Sequence, residues 1–198
     1  MLFYVTLLYQ DVNGWSVLRT GLSWLFMNIP FMLMAQLAGR IERRFPAATV
    51  LAVGCLAAAL GILALSTAST TGPFAWTAIG YLIAGAGFGI LTPATAHLVM
   101  RDVPTGASGA ASGVLNASRQ VGTSVGLAVL GAIGANAAIS DWHAKTGQFP
   151  LPVRARALEQ SQDISGARIN AVTHSLGSAY RHLAADSFVH GYHLAVLA

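Results

Sequence analysis

Along the first two thirds of the chain, short polar clusters alternate with long apolar runs, and the run lengths set the elements. Met1–Tyr9 is apolar and ends in a polar turn of Gln10, Asp11, Asn13 and Gly14. Ser16 then stands where it can cap a helix expected over Val17–Gly39, with Arg19 at its mouth, Asn28 and Gln36 as interior amides and a kink at Pro30, whose ring removes a backbone donor. A loop, Arg40-Ile41-Glu42-Arg43-Arg44, closed by Phe45-Pro46, separates it from an apolar run over Ala47–Leu65. The uncharged loop Ser66–Pro73 leads into Phe74–Met100, with Trp76 and Tyr81 near its start, and Arg101–Pro104 makes the next short loop. No Asp, Glu, Lys or Arg occurs from Phe45 to Met100, which is room for two membrane spans and a connection.

The next stretch, Gly106–Asn136, reads as a further span. Its 31 residues, rising about 1.5 Å each, exceed a hydrocarbon core of roughly 30 Å. Between Asp102 and Asp141 the only ionisable side chain is Arg119. Asn116, Arg119, Thr123 and Gly126 recur at spacings of three and four and share one face, with Gln120 beside them. Two readings follow: a face lining a water-filled pathway or substrate cavity, or a structural arginine tied to backbone carbonyls or to a carboxylate on a neighbouring helix. The pairs Gly109/Gly113 and Gly122/Gly126 have the spacing that lets helix backbones approach closely. Gly85, Gly87 and Gly89 lie in an apolar helix with no strand before them, so they point to close packing and not to a dinucleotide loop.

Ser140–Asp186 differs in kind, with nine charged residues of mixed sign and little sustained apolar pattern. It is expected to be a long extramembrane loop, with short helices over Ala155–Arg168 and Ala171–Ala185. Phe188–Ala198 turns apolar for about half a span. The resulting division is transmembrane helices over 1–139, a polar extracytoplasmic loop over 140–187 and the start of a last membrane helix over 188–198. The fold class is therefore an all-α integral membrane protein with about four full spans and two partial ones, and the partial spans at both ends suggest a fragment of a longer protein.

Composition agrees: 55% of the residues are hydrophobic and 9% charged, against roughly 25% charged in a soluble domain. The net charge of +4 comes from scattered arginines and lysines without an aromatic-interleaved basic stripe, which argues against nucleic acid as a partner. Four arginines, Arg40, Arg43, Arg44 and Arg101, fall in the two short loops on one side and none in Ser66–Pro73, so the arginine side faces the cytoplasm. Cys55 is alone, which removes intrachain disulfides and a cysteine framework for zinc. His97 could join proton coupling or simply hydrogen-bond locally. His174, His182, His190 and His193 have no acid or cysteine at ligand spacing, so no metal is expected. Asn116-Ala117-Ser118 matches a glycosylation acceptor only by accident, being at membrane depth. No nucleophile, base and orienter fall together, so neither catalysis nor a cofactor is expected.

The stretch Ala111-Ser112-Gly113-x-x-Asn116-x-x-Arg119-Gln120-x-Gly122-x-x-x-Gly126 resembles the late-helix signature of the fourteen-helix drug:proton antiporters of the EmrB/QacA type, in the major facilitator superfamily. Gln10-x3-Gly14-x-Ser16-x4-Gly21-Leu22 is similar to that family's junction between its ninth and tenth helices, and Gly39-Arg40-x-x-Arg43-Arg44-Phe45 to its second, degenerate copy of a cytoplasmic loop motif. The resemblance covers nearly the whole chain. It implies a partial C-terminal helical bundle of a major facilitator fold, running from the end of the ninth helix to the beginning of the last. It also implies a bacterial inner (plasma) membrane location, small drug-like substrates exchanged for protons, and N-terminal helices of the same transporter outside this chain. Arg119, Asn116, Gln120 and Thr123 become the candidates for the pathway or gate, Gly39, Arg40, Arg43 and Arg44 for the loop motif, and Gly109, Gly113, Gly122 and Gly126 for helix packing. The chain departs from the pattern in two places. Arg43 stands where the motif has an acidic residue, with Glu42 one position earlier, and no Asp or Glu lies inside an expected span. A reading of another class is a noncatalytic membrane subunit or scaffold, or a decayed gene fragment, whose small-residue helices exist to pack.

Overall fold

A computed structural model describes residues 2–66 and 73–197. Helix α1, Leu2–Leu7, continues into a π-helical turn over Leu8–Val12. There follow α2 (Val17–Ser23), α3 (Leu25–Glu42), α4 (Ala47–Leu65), α5 (Phe74–Met100), α6 (Ser108–Thr146), α7 (Leu151–Glu159), α8 (Ser161–Ser165), α9 (Ile169–Leu176) and α10 (Arg181–Leu197), with no strand among the described residues. Among the described residues four stretches are long and apolar enough to cross a membrane: Val17–Glu42, Ala47–Leu65, Phe74–Met100 and Ser108–Thr146. The all-α membrane fold expected from the sequence is therefore present. The described residues of Met1–Thr20 and Leu127–Ala198 form one compact unit, and those of Gly21–Leu65 and Pro73–Gly126 a second.

In the second unit α5 packs against α3 and α4 through glycine. A Cβ on Gly87 would lie 2.8 Å from the Ala58 Cα and 2.9 Å from the Gly54 carbonyl oxygen on α4. One on Gly89 would meet the Phe31 Cα and the Met34 Cβ of α3, each at 3.0 Å. Between apolar helices in lipid, where hydrophobicity does not drive association, such backbone approach supplies the contact energy. Beside these contacts Val50, Ile90 and Ala94 are buried together, packed by Met34, Ile41 and Leu51. The close packing expected of Gly85, Gly87 and Gly89 is what the structure contains.

Ser16 caps α2 as the sequence suggests, its Oγ accepting from the Arg19 N–H at 3.2 Å. The first span is interrupted at Trp24, whereas Pro30 sits inside the helical run of α3. Three donors converge on the Trp24 carbonyl: the Met27 N–H at 3.1 Å, the Asn28 N–H at 3.0 Å and the Asn28 amide Nδ2 at 2.9 Å. The Trp24 N–H itself bonds to Gly21 at 3.2 Å, in the tighter 3₁₀ pattern. A second difference lies at the far end, where α3 continues through Arg40 to Glu42. The expected five-residue basic loop shrinks to a turn around Arg43 and Arg44.

The first unit gives order to the polar third of the chain. Helix α6 does not end near Asn136 but runs to Thr146, and the last helix begins at Arg181 and not at Phe188. The two short helices expected between them are three, α7, α8 and α9. Trp142 is fully buried and its indole N–H donates to the Ala157 carbonyl at 2.7 Å. Phe149 meets Trp142 edge-on at 5.7 Å between centroids and Tyr180 at 4.7 Å. Ile164, Ile169 and Val172 are also fully buried. Gly191 lets α10 approach α6, where a Cβ would stand 2.8 Å from that of Ala138. Lys145 lies 2.6 Å from the Asp141 carboxylate and 3.2 Å from the Ser187 hydroxyl.

Candidate functional site

The site grows from a proline inside α5. Pro93 has no N–H, so the Gly89 carbonyl one turn earlier loses its helical donor and the helix carries a polar irregularity there. Thr95 turns its hydroxyl back onto the Leu91 carbonyl, with the Thr92 carbonyl at 3.3 Å. Arg119 of α6 reaches this node: its Nη2 donates to the Thr92 carbonyl at 2.9 Å and stands 3.5 Å from the Thr95 Oγ1. Thr123 anchors the arginine's own turn by donating to the Arg119 carbonyl at 2.8 Å. Among the described residues no carboxylate pairs with Arg119. The sequence left open a carbonyl tie or a carboxylate partner for the structural reading, and the carbonyl is the one present.

Asn116, Arg119, Gln120 and Thr123 are all exposed within the chain. Gly109, Gly113, Gly122 and Gly126 have nothing within 4 Å of the position a Cβ would take. Their face thus presents both polar groups and smooth backbone. Thr92, Pro93 and Thr95 were not singled out from sequence. The signal was there in the form Thr-Pro-x-Thr, two hydroxyls beside a proline within an otherwise apolar helix.

At the α3 end, Glu42 and His97 of α5 are in direct contact through Oε2 and Nδ1. The Glu42 side chain is 11% exposed and that of His97 68%. Because α3 continues to Glu42, this carboxylate stands on the last turn of the helix and not in a loop. His97 thus hydrogen-bonds across to α3, to a partner 55 residues away in sequence. A cleft of about 470 Å³ opens here, lined by Gln36, Gly39, Glu42, Arg43, Pro93 and His97 among others. It links the basic motif to the proline of α5. Gly39, Arg40, Arg43 and Arg44 are exposed. A double-mutant cycle of Glu42→Gln and His97→Gln, read by thermal melting, should return a coupling of about 1 kcal/mol or less, because one partner is largely open to solvent. A coupling of several kcal/mol would show the pair to be far better shielded than its exposure implies. Among the described residues no three His, Cys, Asp or Glu side chains gather to hold a metal.

Comparison with known proteins identifies this architecture. The profile of the Major Facilitator Superfamily matches residues 1–127. The methylenomycin A resistance protein of Streptomyces coelicolor is 35% identical over 141 residues, covering 71% of this chain and 29% of that protein. The tetracenomycin C resistance and export protein of Streptomyces glaucescens is 29% identical over 132 residues, covering 67% of this chain and 24% of its own length. The multidrug resistance protein Stp of Mycobacterium tuberculosis is 31% identical over 134 residues, covering 67% and 25% respectively. The chain therefore spans less than a third of the length of these curated relatives. No solved structure matches significantly. With its four apolar spans and a family profile over residues 1–127, this chain belongs to the Major Facilitator Superfamily, as a multi-pass helical protein of the bacterial plasma membrane.

Proposed function

We propose that the chain is the C-terminal part of a multidrug efflux transporter that exports small, mostly apolar or cationic compounds by proton antiport and alternating access, together with N-terminal helices of the same protein. The observation that carries this reading is the exposed polar face of α6. A cation and two amides at Arg119, Asn116 and Gln120 stand open on a helix long enough to span. In lipid such a face is tolerated only against a water-filled pathway or other helices. The names of the relatives, which give resistance to methylenomycin A, resistance to and export of tetracenomycin C, and multidrug resistance, support the substrate class. In this reading Arg119 is held by the Thr92 carbonyl with its charge unneutralised, so it sets a positive potential on the pathway, and Asn116, Gln120 and Thr123 supply exchangeable hydrogen bonds. The four open glycines of α6 would pack against the absent helices. The segment 140–187 lies on the extracytoplasmic side in this arrangement.

The test is efflux of a cationic dye from cells expressing the complete transporter. Arg119→Ala is expected to lower the initial rate about tenfold, the scale of one lost charge-assisted hydrogen bond. Arg119→Lys should recover part of it, since the charge remains while the planar fork is lost. Unchanged efflux by the alanine variant at equal membrane levels would remove Arg119 from the pathway.

A further inference from the structure

At the end of α3 three arginines surround a cavity that the transport reading leaves unused. Arg40, Arg43 and Arg44, with Leu37, Ile41 and Phe45, line a space of about 510 Å³. Among the described residues none of the three guanidiniums has an ion-pair or side-chain hydrogen-bond partner. The carboxylate next to them in sequence, Glu42, is engaged by His97. Three like charges within a turn and a half repel one another, and an anion between them would relieve that repulsion.

The apolar part of the wall leads elsewhere. Ile29, Leu33, Leu37 and Ile41 recur every four residues and form one ridge along α3 that ends in the cavity. Ile29, Leu33 and Leu37 are 53%, 56% and 38% exposed. From Ile29 to Ile41 the ridge is about 18 Å long, close to the roughly 15 Å of hydrocarbon in one leaflet. The arginine-rich end is the one that charge bias places at the cytoplasmic face, where anionic lipids concentrate.

We propose that this cavity binds an anionic phospholipid of the inner leaflet, its phosphate between Arg40, Arg43 and Arg44 and one acyl chain along the Ile29–Leu33–Leu37 ridge. The guanidinium fork matches phosphate oxygens in pairs, and the ridge gives a lipid an anchor that free phosphate cannot use. The site does not depend on the efflux reading, because lipid binding requires no transport.

Native mass spectrometry of the purified chain in detergent tests it, with phosphatidylglycerol, phosphatidylcholine or inorganic phosphate added at equal concentration. Phosphatidylglycerol should be retained in preference to phosphatidylcholine. Arg40→Gln and Arg44→Gln should each weaken that retention about fivefold, the contribution of one cation at an anionic membrane surface. The double variant Arg40→Lys/Arg44→Lys should keep a preference, and Arg154→Gln/Arg156→Gln, on α7, should change nothing. Equal retention of the two lipids would overturn the proposal. So would phosphatidylglycerol binding that survives loss of both arginines, or falls equally in the α7 control. Displacement by inorganic phosphate at the same concentration would reassign the site to a soluble anion, and a lipid-free dimer would assign the face to a second copy. Should a glutamine variant lose its helical circular dichroism, the wild-type preference between lipids and the lysine pair still decide.

Discussion

Gly87→Val should prevent α4 and α5 from packing and leave the chain unable to hold its membrane bundle. The Cβ alone would fall 2.8 Å from the Ala58 Cα and 2.9 Å from the Gly54 carbonyl oxygen. Both obstacles are backbone, so no rotamer change can clear them; α4 would have to move bodily. Overpacking of a core by a methylene or two costs typically about 1–3 kcal/mol, and a clash with main chain on the partner helix belongs at or above the top of that range. The measurement is resistance of the helical circular dichroism to heating in detergent. Gly113→Val is the matched control, because nothing stands within 4 Å of its Cβ position. It should change stability by less than about 0.5 kcal/mol in this chain, as surface substitutions generally do. In the complete transporter, packing of α6 on further helices would make the same control costly. If Gly87→Val melts like the wild type, the tight α4–α5 contact is not what holds the bundle.

The other large effect is expected at Trp142. Its side chain is fully buried, its N–H donates to Ala157 on α7, and Phe149 packs on its edge. Trp142→Ala removes the largest buried side chain of that unit and leaves a carbonyl without its donor. Large aromatic truncations cost about 3–5 kcal/mol, which is enough to free helices as short as α7 and α8. Limited trypsin digestion should then cut at Arg154, Arg156 and Arg168 at least about tenfold faster, the rate following the population of the opened form. The transmembrane helices of the other unit should keep their helicity. An unchanged cleavage pattern would mean that α7–α9 are held by contacts other than Trp142.

The two predictions fall on the parts of the chain that were easiest and hardest to read in sequence. The spans are legible because lipid demands about twenty consecutive apolar residues with every backbone group satisfied internally, and Ala47–Leu65 and Phe74–Met100 meet that demand without a charged side chain. Helix packing at Gly85, Gly87 and Gly89 is legible for the same reason, since only small residues let backbones meet. The polar third is not, because its core depends on side chains far apart in sequence. Trp142 needs Ala157 and Phe149, and Phe149 needs Tyr180, with no period connecting them. At the candidate site Arg119 is conspicuous as a lone charge. Its acceptor on Thr92 is hidden, since a main-chain carbonyl carries no sequence signature. The Glu42–His97 contact escapes for a geometric reason: the apolar pattern stops at Gly39, three residues short of the end of α3 at Glu42, and so leaves the carboxylate outside the legible helix.

The length of α6 also serves as a ruler. From Ser108 to Arg119 the helix rises about 16 Å, half of a hydrocarbon core, so a helix entering the bilayer at its first residue carries the arginine to the midplane. At that depth the guanidinium is out of easy reach of the headgroups on either side, and the Thr92 carbonyl stands in for part of the hydration it has lost.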